Sequence, residues 1–326
     1  MPTSLRWRGP VRLVIRLVLS LLAVSVLVFL LTIAVPGDPA RAALGKAATP
    51  AQLQAFDAAH GLNAPLYEQF GRFLLNLVQG RLGTSYASGQ AVTAVIGDRF
   101  ERTFFLVLIA WVIAALISVP VGIWSGRRAG SVADSAVSGT TLGLAALPEF
   151  VIGLLLVFVV GVKLGWLPVN STAAGYATTP WGDFSSYVLP ALAISFTIVP
   201  YITRLARANA REVDSEPYIR AAILRGVHGP RLSFEHVLPN AAPPVVNALA
   251  LQFAGSIGGV VVTETVFGFP GIGQLLVQAV GSRDLPVVQA ITIIIGAVYV
   301  LVNTLADAGV VALTPRLRPT QQLAAT

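Results

Sequence analysis

Few residues in this sequence have the types and spacing that chemistry needs. Glu149, Glu264 and Asp307 stand inside apolar runs, where a carboxylate costs ~2.5–3.5 kcal/mol or more in lipid. Each must face protein or a water-filled path, either as a hydrogen-bonded anchor or as a lining group that meets protons or solute. His60, His228 and His236 are the only histidines, and none stands in an H-E-x-x-H or i,i+4 zinc pattern. His236 is read as a packing or hydrogen-bonding residue, and no metal site is assigned. A phosphate-cradling loop requires G-x-x-x-x-G-K-[ST], so that backbone amides and a lysine wrap the phosphates. Lys46 follows Gly45 but precedes Ala47 and finds Ala40 at the upstream glycine position, and Lys163 lies in VGVKLG. The chain itself is expected to bind no nucleotide by that device. There is no G-x-S-x-G elbow and no cysteine, so neither a catalytic serine, a disulfide framework nor a thiolate site is assigned.

The elements that position these residues follow from composition. Of 326 residues, 55% are hydrophobic and 11% charged, against the ~25% charged of a typical soluble domain. The fold class is an all-α integral membrane protein. The run LVLSLLAVSVLVFLLTIAV (17–35) carries no charge and is long enough to cross ~30 Å of hydrocarbon. It is longer than the ~7–15 residue core of a secretory signal, and PGDP (36–39) follows it rather than a small-residue cleavage site, so it reads as a retained anchor. Further spans are predicted at about 103–125, 135–162, 187–206, 241–266 and 286–313, making six.

Fourteen of the 22 Lys and Arg then fall on one side: four at the N-terminus, Arg127 and Arg128, six from Arg204 to Arg231, and Arg316 and Arg318. Positive-inside anchoring puts both termini and the 207–240 segment in the cytoplasm. The net charge of +7 is spread along that face without interleaved aromatic platforms, which argues against nucleic acid as a partner and for membrane lipid.

The chain divides into an N-terminal tail with the first span (1–35), an outer segment (36–102), a core of five spans (103–313) and a cytoplasmic tail (314–326). In the outer segment, Thr49-Pro50 followed by Leu53 and Phe56, then Tyr67, Phe70, Phe73, Leu74 and Leu77, predicts two short amphipathic helices. They either cap the spans or form a lip that meets a delivered ligand or its carrier. Pro148 removes a backbone donor within the third span and predicts a kink beside Glu149. AGSIGG (254–259) lets the fifth span approach a neighbour closely, by internal packing or at an oligomeric seam.

The segment YIRAAILRGVHGPRLSFEHVLPN (218–240) is polar and punctuated by Gly and Pro. Pro217 occupies a first helical position, Gly226 a helix stop, and Gly229-Pro230 opens a second short helix toward Leu238-Pro239. Two helices of about nine residues fall below the ~12–15 that stand alone. A docking partner on the water face is the expectation.

AAILRG (221–226) followed by HVLPN (236–240) resembles the coupling motif of ABC-importer permeases, E-A-A-x-x-x-G with a later I-x-L-P. Arg220 takes the glutamate position and His236 the isoleucine position. Both departures are similar to the peptide branch, with Y-[IV]-R-x-A-x-x-K-G and H-x-L-x-N. PGDP (36–39), ETVFGFPGIGQLL (264–276), RDLPVVQA (283–290) and LVNTLADAGVVALTPRLRP (301–319) also resemble the dipeptide/oligopeptide/nickel permease family, in order and over nearly the whole chain. GRLGTS (80–85) departs from the family's G-D-L-G-x-S by placing Arg81 at the acidic position, and Arg225-Gly226 replaces Lys-Gly.

The resemblance implies a type I importer permease fold in a bacterial or archaeal cytoplasmic membrane. It also implies a second related permease, two cytoplasmic ATPases that carry ATP and Mg, and an external binding protein. The coupling segment (212–240) would dock on an ATPase, with Tyr218, Ile219 and Ala222 in apolar contact and Arg220 and Arg225 donating charge-assisted hydrogen bonds. Ala221 and Gly226 would allow close approach, and His236, Leu238 and Pro239 would carry motion into the fifth span. Solute would pass between the two permeases, along Glu149, Asn247, Gln252, Ser256 and Thr263, chosen as polar groups in apolar helices. Peptide is the default solute, with nickel, haem, glutathione or oligosaccharide as family alternatives. A proton-coupled secondary transporter using Glu149, Glu264 and Asp307 is the rival class, although no internal repeat supports it.

Overall fold

The computed structural model describes the backbone of residues 8–34, 37–171 and 184–313. Among these residues there is no strand beyond one isolated bridge, Thr84 to Ala91. The chain forms α1 (Arg8–Ala34), α2 (Pro39–Leu44), α3 (Pro50–His60), α4 (Leu66–Val78), α5 (Val92–Gly126), α6 (Val132–Ala145) and α7 (Glu149–Leu156). A π-helical stretch (Val157–Lys163) extends α7. There follow α8 (Ser185–Asp214), α9 (Pro217–Leu224), α10 (Gly229–Leu232), a π turn (Ser233–Val237), α11 (Leu238–Phe267), α12 (Ile272–Gly281) and α13 (Leu285–Leu313). The Asp307 side chain, Arg316 and Arg318 lie outside the described residues.

Four helices are long and apolar enough to span a membrane: α5, α8, the Gly229–Phe267 run and α13. A fifth span results if α6 and α7, bent by 100° at their junction, count as one. The apolar part of α1, Leu17–Ile33, is shorter than these, so the described residues give four or five spans where six are expected from sequence. Pro148 caps α7 at the bend. A proline kink is therefore present where it was predicted, but as a full break.

The chain forms two compact units. The first comprises residues 1–103 and 270–301. Here Asp38 of PGDP caps α2, accepting from the Ala40 and Arg41 amides at 2.9 and 3.3 Å. Thr49 and Gln52 form a reciprocal capping box at the start of α3. Phe70 and Phe73 of α4 pack on Phe29 of α1, with ring centroids 5.1 and 5.9 Å away. Both outer helices predicted from sequence are thus present. Helix α5, however, begins at Val92 rather than near 103, because Val92 and Ile96 are buried against Ile272, Leu275 and Ile291. Helix α12 was not foreseen. Its Ile272 amide is capped by Thr103 Oγ1 at 2.9 Å.

The second unit comprises residues 104–269 and 302–326, and α8 is its centre. In α8, 61% of the apolar window is buried, against 22–33% in the other spanning helices. Gly122 and Gly126 allow α5 to lie directly on it: a Cβ on Gly122 would come within 2.6 Å of the Thr203 carbonyl oxygen, and one on Gly126 within 2.5 Å of Arg207 O.

Candidate coupling site

Helix α8 ends at Asp214, and Glu216 in extended conformation turns the chain into α9 with Pro217 at its first position. The helix stops at Arg225. Gly226 then takes φ +87°, which lets its amide reach Ile223 O (2.9 Å) and the Val227 amide reach Ala222 O (3.1 Å). No atom lies within 4 Å of a Cβ built on Gly226. The glycine is required there by backbone conformation and not by space.

The two faces of α9 do different things. Ile219 and Ala222 are fully buried with Ile123, Ala210, Leu232 and Val237. The ATPase contact expected of them from sequence is therefore not available: one turn apart, they nail the helix to its own chain. The outward face carries Tyr218, Arg220, Ala221, Ile223, Leu224 and Arg225, with Leu224 88% exposed. Ile223 and Leu224 were not singled out from sequence, since AAIL does not reveal which residues face the core. Burial, and then the Glu216 charge, push the Tyr218 phenol up from its ordinary pKa.

Arg127 was read from sequence only as a topology charge. It ion-pairs with Asp214 at 3.4 Å, donates to Gly229 O at 3.1 Å and also donates to Ser233 Oγ. One guanidinium therefore ties the end of α5 to the residues flanking α9 on both sides. Nearby, Arg207 of α8 donates to both oxygens of buried Asp134 (2.5 and 2.8 Å), which also accepts from Ser125 Oγ (2.6 Å) and the Gly130 amide (3.0 Å). This charge-assisted network joins α5, α6 and α8 next to the segment.

The second short helix expected from sequence is not separate. Helix α10 has four residues and passes through the π turn into α11, so that Gly229–Phe267 runs as one helix of 39 residues. His236 lies in the turn, half-buried, with Nδ1 unpartnered, and its carbonyl accepts from Asn240 Nδ2 at 2.7 Å. Leu238 packs against the cluster that holds Ile219, and Pro239 is exposed. Pro239 removes one amide from the ladder, and the wider π spacing absorbs it without a break.

Of the solute-path candidates, Thr263 donates its hydroxyl to Glu149 Oε1. Gln252, Ser256 and Thr263 fall within about 40° of one another around α11, whereas Asn247 lies about 140° from Gln252. The structure thus joins Glu149 to Thr263, puts Gln252 and Ser256 along the same side of α11 as Thr263, and leaves Asn247 on another face, its Oδ1 buried and unpartnered. Ser256 Oγ donates to Gln252 O at 2.8 Å. Glu264 is fully buried. Among the described residues no cluster of His, Asp and Glu suits a metal ion.

Comparison with known proteins follows the same outline. Residues 118–319 match the family described as binding-protein-dependent transport system inner membrane component, and residues 7–107 match its N-terminal companion. A probable peptide ABC transporter permease protein, y4tP, of Sinorhizobium fredii is 34% identical over 90% of this chain and 94% of its own length. The glutathione transport system permease protein GsiC of Pectobacterium atrosepticum is 38% identical over 93% of this chain and 96% of its own. GsiC of Escherichia coli K12 is 35% identical over the same shares. A solved structure of the MetNI methionine ABC transporter in inward-facing conformations superposes with a TM-score of 0.51 at 18% identity, covering 68% of this chain and 97% of that one. At that identity the likeness establishes the fold, that of a type I importer permease. The chain belongs to the family of binding-protein-dependent transport system inner membrane components, and is a permease subunit of an ABC importer.

Proposed function

We propose that this permease imports di- or oligopeptides across a bacterial or archaeal cytoplasmic membrane, with both termini in the cytoplasm. A second, homologous permease completes the solute path, two cytoplasmic ATPases hold ATP and Mg, and an external binding protein delivers the solute. The outward face of α9 carries this reading. Tyr218, Ile223 and Leu224 stand exposed on a helix of eight residues that also presents Arg220 and is capped by Arg225. Its inner side is held by its own chain, which leaves the outer side free, and an exposed apolar face beside charge is the form of a protein contact. Residues 36–102 cap the first span, with Phe70 and Phe73 packed on Phe29, and Glu149, Gln252, Ser256 and Thr263 line the path.

Peptide is supported by the relatives, one named for peptide and two for glutathione, itself a tripeptide. The test is uptake into vesicles holding the assembled transporter, with labelled dipeptide, tripeptide and glutathione. Uptake is expected to require ATP and the binding protein and to survive collapse of the proton gradient. Uptake driven by the gradient without ATP would instead make the chain a secondary transporter.

A further inference from the structure

Beside the coupling segment, a groove of about 520 Å³ opens between the end of α5 and the start of the Gly229–Phe267 helix. Its walls are apolar along most of their length, from Pro120 and Trp124 on one side to Pro230, Phe234 and Leu238 on the other. Trp124 is 45% exposed and Phe234 67%. Arg127 and Arg128 close one end. Arg127 is engaged with Asp214, Gly229 and Ser233. Arg128 lies 4.4 Å above the Trp124 ring and has no carboxylate within 4.0 Å among the described residues.

Both helices that form the groove are long and apolar enough to span a membrane. Along α5 the lining runs from Val119 and Pro120 to the arginines past the helix end, the passage from hydrocarbon to headgroup depth. Trp at that level and cations just beyond it mark a bilayer interface. We infer that the groove is a binding site for an anionic phospholipid, with its phosphate on Arg128 and its first acyl segment against Trp124, Phe234 and Leu238. Charge complementarity selects the occupant: a zwitterionic lipid satisfies the apolar wall equally well, but the cation of its own headgroup offsets the phosphate that Arg128 would hold. The inference requires α5 and α11 to span a bilayer and does not depend on what the transporter carries.

The probe is brominated phosphatidylglycerol, with brominated phosphatidylcholine as control, titrated into bilayers that hold the assembled transporter. Quenching of Trp124 is obtained as the difference between the wild type and Trp124→Phe. Half-maximal quenching is expected at a phosphatidylglycerol fraction about fivefold below that for phosphatidylcholine, as one cation at the membrane surface provides. Arg128→Gln should erase the preference while phosphatidylcholine still quenches, which shows that the variant remains folded. Inorganic phosphate should not compete. Equal quenching by the two lipids, or an unchanged preference in Arg128→Gln, overturns the site. Absence of quenching by either lipid overturns it too, by showing that a protein neighbour covers the groove.

Discussion

Arg207 grips Asp134 through two hydrogen bonds, 2.5 Å from Nε and 2.8 Å from Nη2, and the carboxylate is 3% exposed. Removing one partner of such a pair leaves the other without compensation, while removing both is milder. Asp134→Ala is expected to lower the melting temperature in detergent by roughly 5 °C. Adding Arg207→Ala should recover part of the loss, measured by thermal unfolding of the three variants side by side.

On the proposed function, the two faces of α9 separate partner contact from folding. Leu224→Glu should leave the melting temperature unchanged yet reduce co-purification of ATPase subunits at least tenfold. Ala222→Glu should instead lower stability and membrane yield, because it places a carboxylate among Ile123, Ala210 and Val237. Pull-down and thermal unfolding of both variants check the division.

At Gly122, an added methyl would meet the Thr203 carbonyl and Ala206 Cβ at 2.6 Å. Gly122→Ala should cost about 1–3 kcal/mol by forcing α5 and α8 apart. The same change at exposed Gly255, where nothing lies within 4 Å, should cost nothing and serves as the control in chemical unfolding.

Asp284 holds the turn from Ser85 to Gln90 by accepting from Ser85 Oγ, the Tyr86 amide (3.0 Å) and the Ala87 amide (3.3 Å). Burial first, then the charges of Asp284 and Asp57, push the Tyr86 phenol from 10.0 up to about 12. The neutral phenol is favoured in the fold, so its contribution to stability is complete below pH 10 and disappears as pH rises through about 12. Asp284→Asn should lower this pKa only in part, since burial is the larger cause. Phenolate absorbance, taken as the difference from Tyr86→Phe, reads the shift.

Thr263 and Glu149 act as one unit if the hydroxyl orients the carboxylate. Thr263→Val and Glu149→Gln should each change the KM for uptake several-fold, and the double variant should change it no further. Asn247→Leu, on another face of α11, should leave KM unaltered. Initial uptake rates across a solute range decide.

Signals confined to a few neighbouring residues were legible in the sequence. The Thr49-Pro50 start, the stop at Gly226 and the break at Pro148 all emerged where they were read. What depends on distant partners was not. Asp98, Arg99, Glu101 and Arg102 make the start of α5 look like a loop, yet Val92 and Ile96 hold it helical against α12 and α13. The glycines and proline of GFPGIG similarly concealed α12. Which side of α9 faces inward was set by Leu232 and Val237, residues that follow it in the chain.

The helix from Gly229 to Phe267 is a lever whose soft points all lie toward one end. Its 39 residues span about 58 Å at 1.5 Å per residue. A shift of a few ångströms imposed at Gly229 would reach Phe267 as tilt of the rod, less whatever those soft points absorb. Compliance sits at the wider turn of Ser233–Val237 and at Pro243 and Pro244, which withdraw two amides from the ladder, all in the half of the helix nearer Gly229.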